Sequence, residues 1–284
     1  MSQEDKQLFP IRELSELTQV NTVTIRAWER RYGLLKPART AKGHRLYSLD
    51  DVNLVKVILD YMAKGVPVSK VKALLSQDEG ALPSHSDNDW YLLMQQLEAV
   101  LASYSFSKTQ RFLRDLFLTY PVSLCRKEII EPVINKLEHN NSCLAEAALL
   151  QSAIIDYSLL RINAKTAKKQ LYKIVLICAQ RSPIWKLALS AIELTDASYT
   201  VTFINQPCSL DTWVAIAGKY PESNCVVFQE GVWKEHESKQ IVQILEQHKH
   251  LLFCGTAAML ADIETIKRIS SPEKILEHLT MHKV

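Results

Sequence analysis

"TIRAWERRYGLLKPARTAKGHRLYSLDDV", residues 24–52, sets the reading of this chain. Ile25, Trp28 and Tyr32 fall at i, i+3 and i+7, which places them on one face of a helix. Arg26 and Arg30 fall at i, i+4 on another face, with Arg31 beside them. Asn21, just ahead, can cap the first turn, because its side-chain oxygen can accept from an orphan amide. Gly33 ends the helix, since glycine takes the left-handed conformation without a Cβ penalty. The preceding "FPIRELSELTQV", residues 9–20, predicts a short first helix with Ile11, Leu14 and Leu17 on one face. Two short helices joined by a tight turn, the second rich in arginine, form a helix-turn-helix pattern. Its second helix enters the major groove, where an arginine can bond both acceptors of a guanine.

Downstream, "LLKPARTAKGHRLYS" predicts a two-stranded wing. Pro37 sets an extended approach and Gly43 can make the hairpin bend. Such a wing places Arg39, Lys42 and Arg45 beside a duplex, whose phosphates attract cations and donors. His44 reads as structural or as a phosphate donor, not as a metal ligand. Tyr47 either gives its hydroxyl to a phosphate or packs the wing on the helices. Ser48 and Asp51 have capping-box spacing ahead of "LVKVILDYMAKG", and "PVSKVKALL" predicts one more helix.

Over residues 8–75 this arrangement resembles the winged-helix head of MerR-type transcriptional regulators. The matching features are the Thr24-x-Arg26 start of the recognition helix, the Gly33-Leu34 turn, the Pro37-x-Arg39 wing entry, the Gly43-x-Arg45-x-Tyr47 exit, and the aspartates opening the next helix. One feature departs: many members carry two aromatics after the recognition arginine, and here Ala27 and Trp28 stand there. Any contact from an aromatic at 27 is absent. The Ala-Trp variant is similar to a branch that includes cobalamin-type light sensors and the MlrA regulators of biofilm matrix genes. The resemblance implies a homodimer that binds promoter DNA with two heads and contacts RNA polymerase. It also implies activation by bending and untwisting a promoter whose elements are too far apart. The DNA-binding set it implies is Thr24, Arg26, Arg30, Arg31, Arg39, Lys42, His44, Arg45 and Tyr47.

Charge supports that division of labour. The chain of 284 residues has a net charge of only +3, but residues 1–75 hold 13 lysines and arginines against 8 acids. The basic surplus therefore lies in the head, as a nucleic-acid partner requires. At 47% hydrophobic and 23% charged, the chain can bury cores for about two domains. No apolar run approaches the roughly 18 to 20 residues of a membrane span, and the polar start is unlike a signal peptide. The six cysteines are sparse and lack CxxC spacing, so they read as reduced thiols of a cytoplasmic, nucleoid-associated bacterial protein; Cys178, Cys225 and Cys254 lie in apolar runs and are expected in the core.

The expected fold class is multidomain: an α winged helix-turn-helix head (1–75), a linker (76–88), a helical bundle (89–168) and an α/β Rossmann-like parallel sheet (169–284). In the bundle, Trp90, Leu93, Met94, Leu97, Val100, Leu101 and Tyr104 keep helical spacing. Beyond it, "YKIVLICA", "YTVTFINQ", "NCVVFQEG" and "HLLFCG" read as strands alternating with helices, hence βαβ units. Bundle plus βα domain behind an Ala-Trp head resembles a cobalamin-binding sensor module, but the residues that resemblance requires are missing. The Asp-x-His-x-x-Gly segment after the first strand is replaced by Gln180, Arg181, Ser182 and Pro183, with Trp185 following. Cys254-Gly255 stands for a Gly-Gly pair, Leu137 for the bundle tryptophan, and Ala147-Ala148 for Glu-His. No cofactor is expected. The C-terminal module then reads as a small-effector or partner module, for cyclic-dinucleotide signalling proteins if the MlrA resemblance holds; a cobalamin or cyclic-dinucleotide sensor is the alternative. Trp185, Trp213 and Trp233, near strand-to-helix connections, either cover the sheet or line a crevice. There is no GxGxxG, P-loop or GxSxG, and seven glycines leave little for phosphate-cradling loops, so no enzymatic activity is expected. The pieces "EHE" and "HKH" read as exposed charges rather than a metal site.

Overall fold

The computed structural model describes residues 8–76, 89–164, 172–180 and 182–281. The chain divides into two units, one reaching residue 150 and the other starting at 151. The expected linker, apart from Ser76, lies outside the described residues.

In the first unit, strand β1 (Phe9–Pro10) leads directly into helix α1 (Ile11–Thr18). The face α1 buries is not the one its leucines suggest. Leu14, Ser15 and Thr18 are buried, and Leu17 is half exposed. The hydroxyls make this possible. Ser15 Oγ donates to the Val20 carbonyl and Thr18 Oγ1 to the Leu14 carbonyl, each at 2.6 Å. A satisfied hydroxyl can be buried at little cost, so α1 rotates Leu17 outward.

Helix α2 (Thr22–Ala27) is capped by Asn21, whose Oδ1 accepts from the Val23 amide at 2.8 Å. It continues through a π-helical turn, Trp28–Tyr32, and stops at Gly33. Strands β2 (Ala38–Arg39) and β3 (Arg45–Tyr47) form an antiparallel hairpin, and β1 pairs with the other edge of β3. The register sets Arg39 opposite Arg45 and Phe9 opposite Tyr47. Helix α3 (Leu49–Ala63) starts in the expected capping box of Ser48 and Asp51, and α4 (Val68–Leu75) follows.

Helices α5 (Asp89–Ala102) and α6 (Phe106–Thr119) are continuous with the head in packing as well as in sequence. The indole of Trp28 donates to the Thr119 carbonyl at 2.9 Å, and that of Trp90 to the Met62 carbonyl at 2.8 Å. Both bonds satisfy a buried donor that would otherwise weaken the core. Helix α7 (Val122–Cys125) passes through a second π-helical turn (Arg126–Ile130) into α8 (Glu131–Glu138).

Helix α9 (Leu144–Ala164) crosses from the first unit into the second. With the turn before it, residues 141–164 form a helical segment of mean hydropathy 1.4, long and apolar enough by composition to span a bilayer. The helix is longer than any apolar run in it, because Glu146, Asp156 and Arg161 interrupt the run in sequence without ending the helix. Its C-terminal part is built into the second unit: Arg161 is hydrogen-bonded to Asp196, and both are largely withdrawn from solvent.

The second unit is organised around five parallel strands, β4 (Lys173–Ala179), β5 (Thr200–Cys208), β6 (Asn224–Phe228), β7 (Leu251–Cys254) and β8 (Arg268–Ile269), in the order β5-β4-β6-β7-β8. The connection reverses direction between β4 and β6. One face carries α10 (Ile184–Asp196) and α14 (Ile275–Met281), packed on Ile174, Leu176, Val226 and Leu252. The other carries α11 (Leu210–Gly218), α12 (Glu235–Gln247) and α13 (Thr256–Leu260), packed on Val175, Ile177, Val227 and Phe253. Helices on both faces explain why these strands read as continuous apolar runs rather than alternating ones. Strand β8 was not apparent in the sequence; two residues at a sheet edge leave no periodicity to detect.

Candidate nucleic-acid interface

The inner face of α2 and its π-helical turn is made by Thr24, Ile25, Ala27 and Trp28, all buried. The outer face then belongs to Arg26, Arg30 and Arg31, which are exposed. Three guanidinium groups project from one short helix, as reading base edges and phosphates requires. Thr24, expected among the DNA-facing residues, is 1% exposed and sits in the core instead. Its spacing to Arg26 is two residues, which on a helix turns it about 200° away from the arginine.

The hairpin supplies the second group of cations. Gly43 has φ +79° and nothing near its missing Cβ, so its role is conformational: it lets the chain reverse. The Thr40 amide donates to the His44 carbonyl at 2.9 Å and closes the bend. Lys42 and His44 stand exposed at its tip.

Arg39 and Arg45 are not free in the way the sequence suggests. Both are bonded to Glu29, which lies in the π-helical turn. Arg45 Nε donates to Glu29 Oε2 at 2.5 Å and Arg39 Nη2 to Glu29 Oε1 at 3.2 Å. Glu29 thus ties both strands of the hairpin to the arginine-bearing helix. The hydrogen bond to Glu29 raises the pKa of Arg45 above its ordinary value, against a smaller opposing effect of burial. Charge-assisted bonds of this kind are roughly twice as strong as neutral ones. Arg39 keeps about half of its side chain in solvent (52% exposed), whereas Arg45 is 25% exposed.

Tyr47, the last expected contact, is fully buried. Its side chain is on the packing side of β3, opposite Phe9 of β1, so a phosphate cannot reach it. Burial pushes its phenol up to about 12, and its hydroxyl has no hydrogen-bond partner among the described residues. Of the nine expected residues, the fold leaves seven at or near the surface and withdraws Thr24 and Tyr47.

Glu29 is the residue that sequence reasoning passed over. The signal was present: a single acid within "RAWERRYG", a stretch otherwise basic. Glu29 takes two cations of its own, Arg39 and Arg45.

Among the described residues no group of three or more His, Cys, Asp and Glu side chains is placed to hold a metal ion. None of the six cysteines is in a disulfide, five of them are buried, and burial pushes the Cys178 thiol up to about 12 and the Cys225 thiol up to about 11.

Comparison with known proteins agrees with this geometry. Residues 9–78 match the family described as MerR HTH family regulatory protein. The chain is 35% identical over 164 residues to the HTH-type transcriptional regulator MlrA of Salmonella typhimurium, a match covering 57% of this chain and 65% of the relative. It is 34% identical to MlrA of Escherichia coli over the same length and shares. It is 36% identical over 103 residues to the HTH-type transcriptional repressor CarH of Myxococcus xanthus, covering 36% of this chain and 29% of that protein. The matched region is thus slightly under two thirds of the MlrA sequences. An arginine-lined helix, a basic hairpin pinned to it and the match at 9–78 converge: the head of this chain is similar to the MerR helix-turn-helix regulatory family, and the chain is similar to MlrA regulators.

Proposed function

We propose that this protein is a sequence-specific transcriptional regulator whose winged helix-turn-helix head binds promoter DNA as part of a homodimer. The observation that supports this most is the joint exposure of Arg26, Arg30 and Arg31 on one helix, with the hairpin fixed beside them through Glu29. In this reading Arg26, Arg30 and Arg31 enter the major groove. Lys42, His44 and the exposed part of Arg39 meet phosphates as a wing, and Arg45 positions that wing. Two heads are needed because one helix spans too few base pairs for specificity. The regulator acts in the cytoplasm, as an activator that deforms promoter DNA and presents it to RNA polymerase. Its similarity to MlrA favours control of biofilm matrix genes, with the C-terminal unit docking cyclic-dinucleotide signalling proteins. No part of the reading assigns a catalytic step.

The C-terminal unit is Rossmann-like in this reading, and its residues do not fit cobalamin. After β4 the chain offers Gln180, Ser182 and Pro183, with no imidazole to ligate cobalt. The Ser182 hydroxyl is already bonded to the Phe228 carbonyl. Gly255 is held by the protein itself: a Cβ there would meet the Gln229 carbonyl at 2.5 Å, so the glycine serves the approach of two loops rather than of a corrin.

The test is a binding assay on selected duplexes. Arg26→Ala is expected to change which sequences are bound, at about 1–3 kcal/mol for the base it reads. Lys42→Ala is expected to weaken all sequences alike and to lower the salt slope by about one. Equal effects of both substitutions on all sequences would remove the division between helix and wing.

A further inference from the structure

Val23 differs in kind from the rest of the face it occupies. It is the second residue of α2 and is 39% exposed, whereas Ile25 and Trp28 of the same segment are fully buried. Three residues separate it from Arg26, so the two side chains stand about 60° apart around the helix and about 4.5 Å apart along it. Thr24, Ile25 and Ala27 take the opposite, buried side. An apolar side chain therefore shares the exposed face with Arg26 and Arg30.

Helix stability does not account for a valine at this position. β-Branched residues lower helix propensity, and the first turn of a helix favours an acid, which α2 lacks. The residue is nevertheless held firmly. The Val23 amide donates to Asn21 Oδ1 at 2.8 Å, which closes the first turn. A valine in a helix also keeps mostly one χ1 rotamer. Its two methyl groups thus point in one direction, and a contact made with them costs little side-chain entropy.

The chemistry of the groove names the partner, on the reading of α2 as the helix that enters it. Phosphates and the donor and acceptor edges of the bases offer nothing to a hydrocarbon. The apolar group that the major groove presents is the C5 methyl of thymine. Burying one such methyl is worth about fourfold in affinity at the ordinary transfer energy. Successive bases rise by about 3.4 Å. A side chain about 4.5 Å along the helix from Arg26 therefore meets a base one or two steps from the one Arg26 reads.

We propose that Val23 is a specificity-determining residue that reads the C5 methyl of a thymine, one or two base pairs from the position read by Arg26. The contact carries no charge. It selects sequence without adding to the salt dependence that lysines and arginines produce.

The experiment uses duplexes enriched from a random pool by the full chain. Each thymine of an enriched duplex is replaced in turn by deoxyuridine, which removes the C5 methyl and keeps the pairing edge. The unaltered chain is expected to lose about fourfold in affinity at one thymine per half-site. That thymine should lie within two base pairs of the position whose preference changes in Arg26→Ala. Val23→Ala is expected to bind thymine and deoxyuridine equally there, with an unchanged salt slope. Lys42→Ala is expected to keep the discrimination and lower the salt slope instead. The deoxyuridine scan needs no variant at 23, so its result stands even if Val23→Ala does not fold. A scan in which no replacement weakens binding by more than about twofold overturns the proposal. So does discrimination that persists in folded Val23→Ala, or a methyl-sensitive thymine that lies only farther from the Arg26 position. A pool that yields no enriched duplex fails the DNA-binding reading itself and is told apart by that result.

Discussion

Glu29 sits between the exposed arginines of the helix and the two that hold the hairpin, and on the proposed function its substitution separates the two roles. Glu29→Gln keeps the shape and removes the charge that Arg39 and Arg45 share. The expected cost is about 1–2 kcal/mol in stability. DNA affinity is expected to fall without a change in preferred sequence, because Arg26 is untouched. A double-mutant cycle with Arg45→Ala should give a coupling of about 0.5–3 kcal/mol; strictly additive losses in chemical denaturation would show that the pair does not act as a unit. Tyr47 gives the opposite expectation. Its buried hydroxyl lacks a partner among the described residues, so Tyr47→Phe should leave melting temperature and DNA affinity unchanged or slightly higher. A drop in DNA affinity would return Tyr47 to the phosphate contacts. The same residue carries a pH effect. Its phenol ionises near 10 when unfolded and at about 12 when folded. Its contribution is therefore complete below pH 10 and is lost as pH rises toward 12. Tyr47→Phe should remove that part of the alkaline slope in a denaturation series.

At the scale of elements, two junctions decide the packing. The Trp28 indole joins the arginine-bearing helix to the end of α6. Trp28→Phe keeps most of the apolar volume and leaves the Thr119 carbonyl without this donor, for an expected loss of about 1–3 kcal/mol. Monitored by hydrogen exchange, the loss should appear in α2 and α6 together; protection lost in α2 alone would contradict the joint packing. Gly255 is the other junction. It combines φ +98° with a 2.5 Å approach of any Cβ to the Gln229 carbonyl. Gly255→Ala therefore meets both backbone strain and a clash with main chain, and should destabilise the second unit by more than about 2 kcal/mol. Thermal melts of the variant should show the shift in the transition of that unit, with duplex binding by the head retained. The elements themselves were largely legible beforehand. The Ser48 box, the Asn21 cap and the four long strands all announce themselves by local spacing. The rotation of α1 did not, because burying Ser15 and Thr18 depends on which carbonyls lie within reach. The π-helical turn at Trp28–Tyr32 was likewise invisible: α- and π-turns draw on the same residues.

For the whole molecule, the division at residue 150 matters more than the composition breaks. A head that shares indole bonds with α5 and α6 should unfold with those helices, so two transitions are expected in calorimetry, not three. A separate low-temperature transition for the head alone would count against this. The basic surplus of the first 75 residues is what the proposed DNA-binding head needs, and it required no coordinates.

The sequence by itself determined the helix-turn-helix pattern, the hairpin bend at Gly43 and the alternation of strands and helices, because each rests on local periodicity, capping and turn chemistry. The expectation of no cofactor also came from the sequence, because it is a matter of residue identity at given positions. The tertiary structure alone decided which basic residues are free. Arg39 and Arg45 looked as available as Lys42 until Glu29 was brought between them, and Thr24 and Tyr47 looked available until neighbouring elements covered them. Exposure and pairing depend on contacts between segments distant along the chain, and no spacing rule within a single segment encodes them.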